Sequence, residues 1–164
     1  MDFLKELGGL GLELRFKRLT KALREEADRV YRHYGFDFQE KWCPVFLLLR
    51  KQGPLAITEI SRKLGSSHAS VLKITRPMNE AGLLVIHKDR LDGRKRLLKL
   101  TLKAEKLAPQ LEELCQRLND AQLALFRVAQ CDVMPILDRV EAALEREDLS
   151  QRAIAGPESS VSSA

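Results

Sequence analysis

Two apolar stripes of helical period bracket this chain, and together they dictate a mostly helical fold. Leu12, Phe16, Leu19, Leu23, Ala27, Val30 and Tyr34 recur at intervals of three and four residues, which places all seven on one face of a helix. Further along, Leu107, Leu111, Leu114, Leu118, Ala121, Leu125 and Val128 alternate four and three, the heptad spacing of a helix–helix seam. Asp132 restarts helix, with Val133, Leu137, Val140 and Leu144 on its apolar face. Stripes of this extent exceed the needs of one intrachain contact. The spacing therefore predicts a homodimer whose interface is made by the N-terminal helix and the last two helices.

Between the stripes the punctuation is dense. Gly35 predicts the end of the first long helix. Asp37 with Glu40 reads as the capping box of a second helix reaching about Lys51, closed by Gly53 and Pro54, with Pro44 in its second turn expected to bend it. A short "LAI" follows, then a small helix capped by Thr58 and ending at Gly65. Ser66 or Ser67 caps the next helix, whose Val71, Ile74 and Met78 face inward and which stops at Ala81-Gly82. The segments "LLVIH" and "KRLLKLTL" read as two strands joined by the polar turn "KDRLDGR". The expected fold class is mainly α with one small β-hairpin. It divides into N-terminal helices over 1–54, a central module over 55–102, C-terminal helices over 103–147, and a tail over 148–164 whose small and polar composition predicts disorder.

The charge is not spread evenly. Net charge is +5, yet the segment from Ala56 to Lys103 holds 11 Lys/Arg against 4 Asp/Glu, while residues 104–164 hold 6 against 11. A surplus confined to one module points to a polyanionic partner for that module, the alternative being a solvated helix face. Ser66, Ser67, His68 and Ser70 are short donors and acceptors on the first turn of a helix, and Lys73 and Arg76 lie one and two turns on. Such a helix start fits the major groove of double-stranded DNA, where first-turn side chains and free amides reach bases and phosphates. Arg90, Arg94, Lys95 and Arg96 crowd the hairpin tip and need a counter-charge.

"ITEISRKLGSSHASVLKITRPMNEAGLL", followed by Asp92 and Arg94 in a hairpin ending "LLKLTLKA", resembles the winged helix-turn-helix of the MarR family of bacterial transcription regulators. The flanking helices are similar to that family's dimer frame, so the resemblance covers about residues 8–147. It implies a sequence-specific, cytoplasmic DNA-binding regulator, acting as a homodimer on a pseudo-palindromic operator. It also assigns Arg94 to the DNA minor groove, with Asp92 bracing the turn. Two residues depart from the pattern. Pro77 sits inside the expected recognition helix, where it removes an amide donor and is expected to end or kink it early. Ala104 stands where many members carry glycine.

Six of the nine aromatic residues fall between Tyr31 and Phe46. In a MarR-like frame this is the junction where members commonly bind small aromatic or anionic effectors, and Tyr31, Tyr34, Phe38, Trp42 and Cys43 are the candidate lining. The competing reading is an aromatic core. Cys43 is also a conceivable redox switch, since some relatives sense peroxides by a cysteine, but no neighbour in sequence lowers its thiol pKa. Three cysteines without a CxxC spacing argue against a disulfide framework and for a reducing compartment. No apolar run reaches the roughly 18 residues of a membrane span, and the three histidines are too scattered for a metal site. Nucleophile elbow, phosphate loop and HExxH motifs are all missing, which argues against an enzyme, and no cofactor is implied. The rival to DNA binding is a winged-helix module that binds protein, which calls for an uncharged or acidic hairpin.

Overall fold

The computed structural model describes residues 2–88 and 96–155. Eight α-helices and three strands are present among them: α1 (Phe3–Glu6), α2 (Leu12–His33), α3 (Cys43–Gln52), β1 (Leu55–Ala56), α4 (Ile57–Lys63), α5 (His68–Glu80), β2 (Leu84–Lys88), β3 (Arg96–Leu100), α6 (Leu102–Val128), α7 (Val133–Arg146) and α8 (Leu149–Ala155). The chain divides into two compact units, Met1–Leu118 and Asn119–Ala164. No helix among the described residues is long and apolar enough to cross a membrane.

The first unit holds a single core. Ala27 and Tyr31 of α2, Val45, Phe46 and Leu49 of α3, Ile60 of α4, Val71 and Met78 of α5, Leu98 and Leu100 of β3, and Ala104, Ala108, Leu111 and Leu114 of α6 are all buried in it. The sheet is antiparallel in the order β1-β3-β2, with Leu55 opposite Leu98 and Leu84 opposite Leu100. Alternation along β3 turns Leu98 and Leu100 inward and Lys99 outward, while Arg96 is exposed at the start of the strand. The strands expected from "LLVIH" and "KRLLKLTL" are these two, and "LAI" contributes the third. The turn between β2 and β3, with Arg90, Asp92, Arg94 and Lys95, lies outside the described residues.

α2 ends as its composition predicts. Gly35 takes φ +76°, and the Phe36 amide donates to the Tyr31 carbonyl at 2.9 Å, a six-to-one closure that satisfies the last turn. α3 begins differently from the expectation. Glu40 does not return to Asp37; its amide donates to Asp28 Oδ1 at 2.7 Å, and a 3-10 turn over Glu40–Trp42 leads into the helix. Pro44 therefore stands in the first turn of α3, where a missing amide costs nothing, and bends no helix. The cap of α4 also moves by two residues. Ala56 holds the position assigned to Thr58, and the Glu59 carboxylate accepts from the Ala56 amide at 2.9 Å.

α3 runs antiparallel to α6 and is tied to it at both ends. Arg50, in its last turn, bonds Glu105 at 3.2 Å and Glu112 at 3.1 Å, on either side of Pro109. Cys43, its first residue, faces Cys115 with the sulfurs 2.9 Å apart. Half of the α6 seam is thus spent inside the unit, since Leu111, Leu114 and Leu118 are buried there. The apolar positions beyond it, Leu125 and Val128, are exposed. The N-terminal stripe divides likewise. Ala27 and Tyr31 are core residues, whereas Leu12, Phe16 and Leu19 remain 49%, 52% and 40% exposed.

The second unit corrects the expectation of a disordered tail from residue 148. Asp148 Oδ1 accepts from the Gln151 amide at 2.8 Å and Gln151 Oε1 accepts from the Asp148 amide at 3.1 Å, a reciprocal cap that starts α8. Residues 156–164 of that tail lie outside the described residues. In α7 the apolar face carried by Met134, Ile136, Leu137, Val140 and Leu144 is exposed throughout.

Phe46 is fully buried and packs edge-on against Phe38 with ring centroids 5.5 Å apart. Phe46→Ala should lower the unfolding free energy by about 3–5 kcal/mol, read from urea titration with an unchanged slope.

Candidate nucleic-acid interface

α4 and α5 form a helix-turn-helix whose turn is set by Gly65. At φ +57° it adopts the left-handed conformation that a side chain disfavours, and the Ser66 amide closes on the Ser61 carbonyl at 2.9 Å. Ser67 is then the N-cap of α5. Its hydroxyl accepts from the Ser70 amide at 3.2 Å and lies 2.8 Å from the Ser70 hydroxyl. The Ser66 hydroxyl turns back to donate to the Leu64 carbonyl at 3.2 Å. Of the two candidate caps, Ser67 is the one used.

Burial separates the two faces of α5 cleanly. Val71, Thr75 and Met78 are buried and Ile74 packs against the core, whereas Ser66, Ser67, His68, Ser70, Lys73 and Arg76 are all exposed. The six therefore lie together on the solvent side of one helix start. Their hydroxyls are partly committed to each other and to the backbone, so His68, Lys73 and Arg76 carry the freest polar reach. Pro77 does not end the helix, which continues through it to Glu80, and the Ala81 amide donates to the Pro77 carbonyl at 2.9 Å. A proline in the third turn leaves the Lys73 carbonyl without its usual amide partner but lies C-terminal to every candidate contact on α5. Arg96, at the start of β3, is exposed; Arg90, Arg94 and Lys95 fall outside the described residues.

The junction residues are arranged as core, not as a single lining. Tyr31, Phe38, Trp42 and Cys43 are buried, and the rings of Tyr31 and Trp42 pack edge-on against Phe38 at 4.9 Å and 5.7 Å. Trp42 Nε1 is buried without a hydrogen-bond partner. Tyr34 is half exposed and accepts from Arg117 at 3.1 Å. Two clefts flank the cluster. One of about 250 Å³ is walled by Phe36, Phe38, Leu83, Leu107 and Leu111 with Lys103 and Asp37 beside them. The other, about 230 Å³, is bounded by Tyr34, Phe36, Glu113, Leu114 and Arg117. Lys103 carries no signal in the sequence. Its ammonium donates to the Ala81 carbonyl at 2.8 Å, a tertiary placement that no local spacing announces.

A polar chain runs through the base of the cluster. The Tyr31 hydroxyl donates to Glu40 Oε2 at 3.1 Å and lies 3.4 Å from Cys115 Sγ. Burial raises the Glu40 carboxyl above the ordinary carboxylate range, an effect the Tyr31 bond opposes. Burial likewise pushes the Tyr31 hydroxyl up, so it stays a donor. Among the described residues no group of His, Cys, Asp and Glu is placed to hold a metal ion.

No family model matches the chain, and no curated protein matches it. Solved structures do. The PcaV transcriptional regulator of Streptomyces coelicolor, in complex with its natural ligand, is 20% identical with a TM-score of 0.64, covering 83% of this chain and 93% of that one. A MarR protein of Peptoclostridium difficile is 18% identical at a TM-score of 0.64, over 86% and 92% of the two chains. BpsR of Bordetella bronchiseptica, whose DNA binding is regulated by 6-hydroxynicotinic acid, is 17% identical at 0.57, over 76% and 91%.

The two serines should separate experimentally. Ser67→Ala removes the cap and should cost about 1 kcal/mol of stability, whereas Ser66→Ala, which gives up one exposed bond, should cost a few tenths; urea denaturation of both variants measures the difference.

Proposed function

We propose that this chain, whose fold is that of the MarR-family transcriptional regulators, is a homodimeric, sequence-specific DNA-binding regulator that responds to a small anionic effector. The observation that carries the reading is the solvent face of α5, where Ser66, Ser67, His68, Ser70, Lys73 and Arg76 stand exposed at a helix start inside the basic third of the chain. Free amides and the positive end of the helix favour phosphate, and the side chains beside them suit base edges. The cationic segment from Arg90 to Arg96 supplies affinity from the minor groove and backbone. Two such modules in a dimer call for a pseudo-palindrome whose half-site centres lie about 10 base pairs apart.

The dimer reading draws its support from apolar surface that the chain leaves uncovered. Leu12, Phe16 and Leu19 of α2 and Leu137, Val140 and Leu144 of α7 are exposed, and single-protein surfaces rarely keep apolar faces of this extent free. A second copy of the same chain is the occupant that fits the sequence stripes. The effector reading rests on the cleft beside Phe38. Its apolar walls suit one aromatic ring, with Lys103 to meet a carboxylate on it against the opposing charge of Asp37 on the same rim, and its volume lies just below the range of about 300–1,000 Å³ usual for small-ligand sites. PcaV with its natural ligand and BpsR with 6-hydroxynicotinic acid provide the analogy.

Selection from random duplex DNA with the purified protein should enrich a palindrome; enrichment of no sequence would overturn the DNA reading. Arg76→Ala or His68→Ala should change preference at one or two positions per half-site, by about 1–3 kcal/mol. Arg94→Ala should weaken binding to every duplex and flatten the salt dependence by about one unit of slope for each phosphate it no longer neutralises. In sedimentation, Leu137→Glu with Val140→Glu should convert a dimer to a folded monomer. Leu114 and Leu118 do not serve this purpose, because each is buried in its own chain. Titration calorimetry with single-ring carboxylates should detect binding that Lys103→Met abolishes.

A further inference from the structure

Three consecutive residues close α5, and each is bonded in two directions. The amides of Ala81, Gly82 and Leu83 turn back to the carbonyls of Pro77, Asn79 and Met78, each at 2.9 Å, with Gly82 at φ +71° making the turn. Their carbonyls point the other way. The Ala81 carbonyl accepts from the Lys103 ammonium at 2.8 Å, the Gly82 carbonyl from the Thr101 hydroxyl at 2.7 Å, and the Leu83 carbonyl from the Thr101 amide at 3.0 Å. The Thr101 hydroxyl also accepts from the Ala104 amide at 3.2 Å, which makes it the cap of α6. One half-buried hydroxyl thus joins the end of α5 to the beginning of α6.

We propose that Thr101 is a positioning residue, which sets the direction of α5 and thereby the fidelity with which its first turn reads bases. The proposal rests on the DNA-binding reading of α5 and adds what holds that helix on its target.

Burial of Val71 and Met78 decides which face of α5 turns inward, but apolar contacts have no direction and leave a helix free to tilt. Hydrogen bonds do have direction. Three of them fix the end of α5 against the start of α6. His68 stands 13 residues before Ala81, a distance of about 20 Å along a helix. A tilt of about 5° at that end carries the first turn roughly 1.7 Å sideways, beyond the spread of about 0.5 Å over which a hydrogen bond keeps its length. Long cationic side chains follow a phosphate through such a shift, whereas contacts to base edges are lost. Deleting the Thr101 hydroxyl therefore costs discrimination between sequences before it costs affinity for DNA as such.

The test compares three variants of the full chain on the duplex that selection enriches and on a random duplex of equal length, at fixed salt. Thr101→Val removes both bonds of the hydroxyl, and Thr101→Ser keeps both. Thr101→Asp keeps the acceptor that caps α6 and gives up the donor to Gly82; its added charge acts on both duplexes alike. Thr101→Val and Thr101→Asp should narrow the ratio of specific to random affinity by about tenfold, the loss of one good base contact, with Thr101→Ser matching the wild type. A purely structural defect lowers the competent fraction of protein, weakens both duplexes by one factor and leaves the ratio unchanged; that result overturns the proposal. Should Thr101→Val fail to fold, Thr101→Asp decides, because its α6 stays capped. The direction of α5 is read without DNA, from residual dipolar couplings of its amides against those of α6. It should turn in Thr101→Val and Thr101→Asp and hold in Thr101→Ser. A wild type that prefers no sequence marks failure of the DNA reading, and the couplings then decide the positioning role alone. An α5 axis that keeps its wild-type direction in both variants overturns it.

Discussion

The edge-on packing of Tyr31, Trp42 and Phe46 around Phe38 is the joint on which the first unit is built. Tyr31 comes from α2, Phe46 from α3, and Phe38 and Trp42 from the segment between them, so one cluster fixes the angle at which two helices leave each other. The Tyr31 hydroxyl then reaches Cys115 on α6 and Glu40 beside Trp42. α3 has little choice of position once these contacts are made. Its far end is held by Arg50 between Glu105 and Glu112, and β1 and the helix-turn-helix follow directly. The orientation of α5 toward solvent is thus inherited from aromatic packing several elements earlier.

Periodicity made most of the helices legible in advance, because an amphipathic stripe is a property of neighbouring residues. The strands were legible for the same reason. The start of α6 rests on Thr101, whose hydroxyl accepts from the Ala104 amide and donates to the Gly82 carbonyl. Errors fell where a distant partner decided the outcome. Asp28 took the Glu40 amide away from the expected Asp37 box. Ala56, which offers no side-chain acceptor, became a cap because Glu59 could reach its amide. The first residues of the tail look disordered by composition, yet Asp148 and Gln151 cap one another and a helix follows.

The candidate interface was legible to a different degree from the junction. Exposed polar residues at a helix start depend on local spacing alone, and all six stand where that spacing puts them. A cleft does not. Five aromatic or sulfur-bearing residues near one another in sequence left two readings open, a lining or an aromatic core, and packing buries four of them. The space that remained opened beside Lys103, a residue 65 positions beyond Phe38. The same limit hid Cys115 from view: Cys43 showed no neighbour in sequence able to lower its thiol, and its partner lies on another helix.

Trp42 is the single tryptophan of the chain, 2% exposed, with an indole N–H that meets no acceptor. Burying that group without a protein partner costs about 1–3 kcal/mol, and the same burial gives the native state a spectral identity. An excited indole enclosed by apolar side chains relaxes little before it emits, so folded protein fluoresces toward the blue. Any opening that lets solvent reach the joint between α2 and α3 shifts that emission to the red. The molecule therefore carries, at the place where its geometry is set, one intrinsic lamp whose colour reports whether that place is closed.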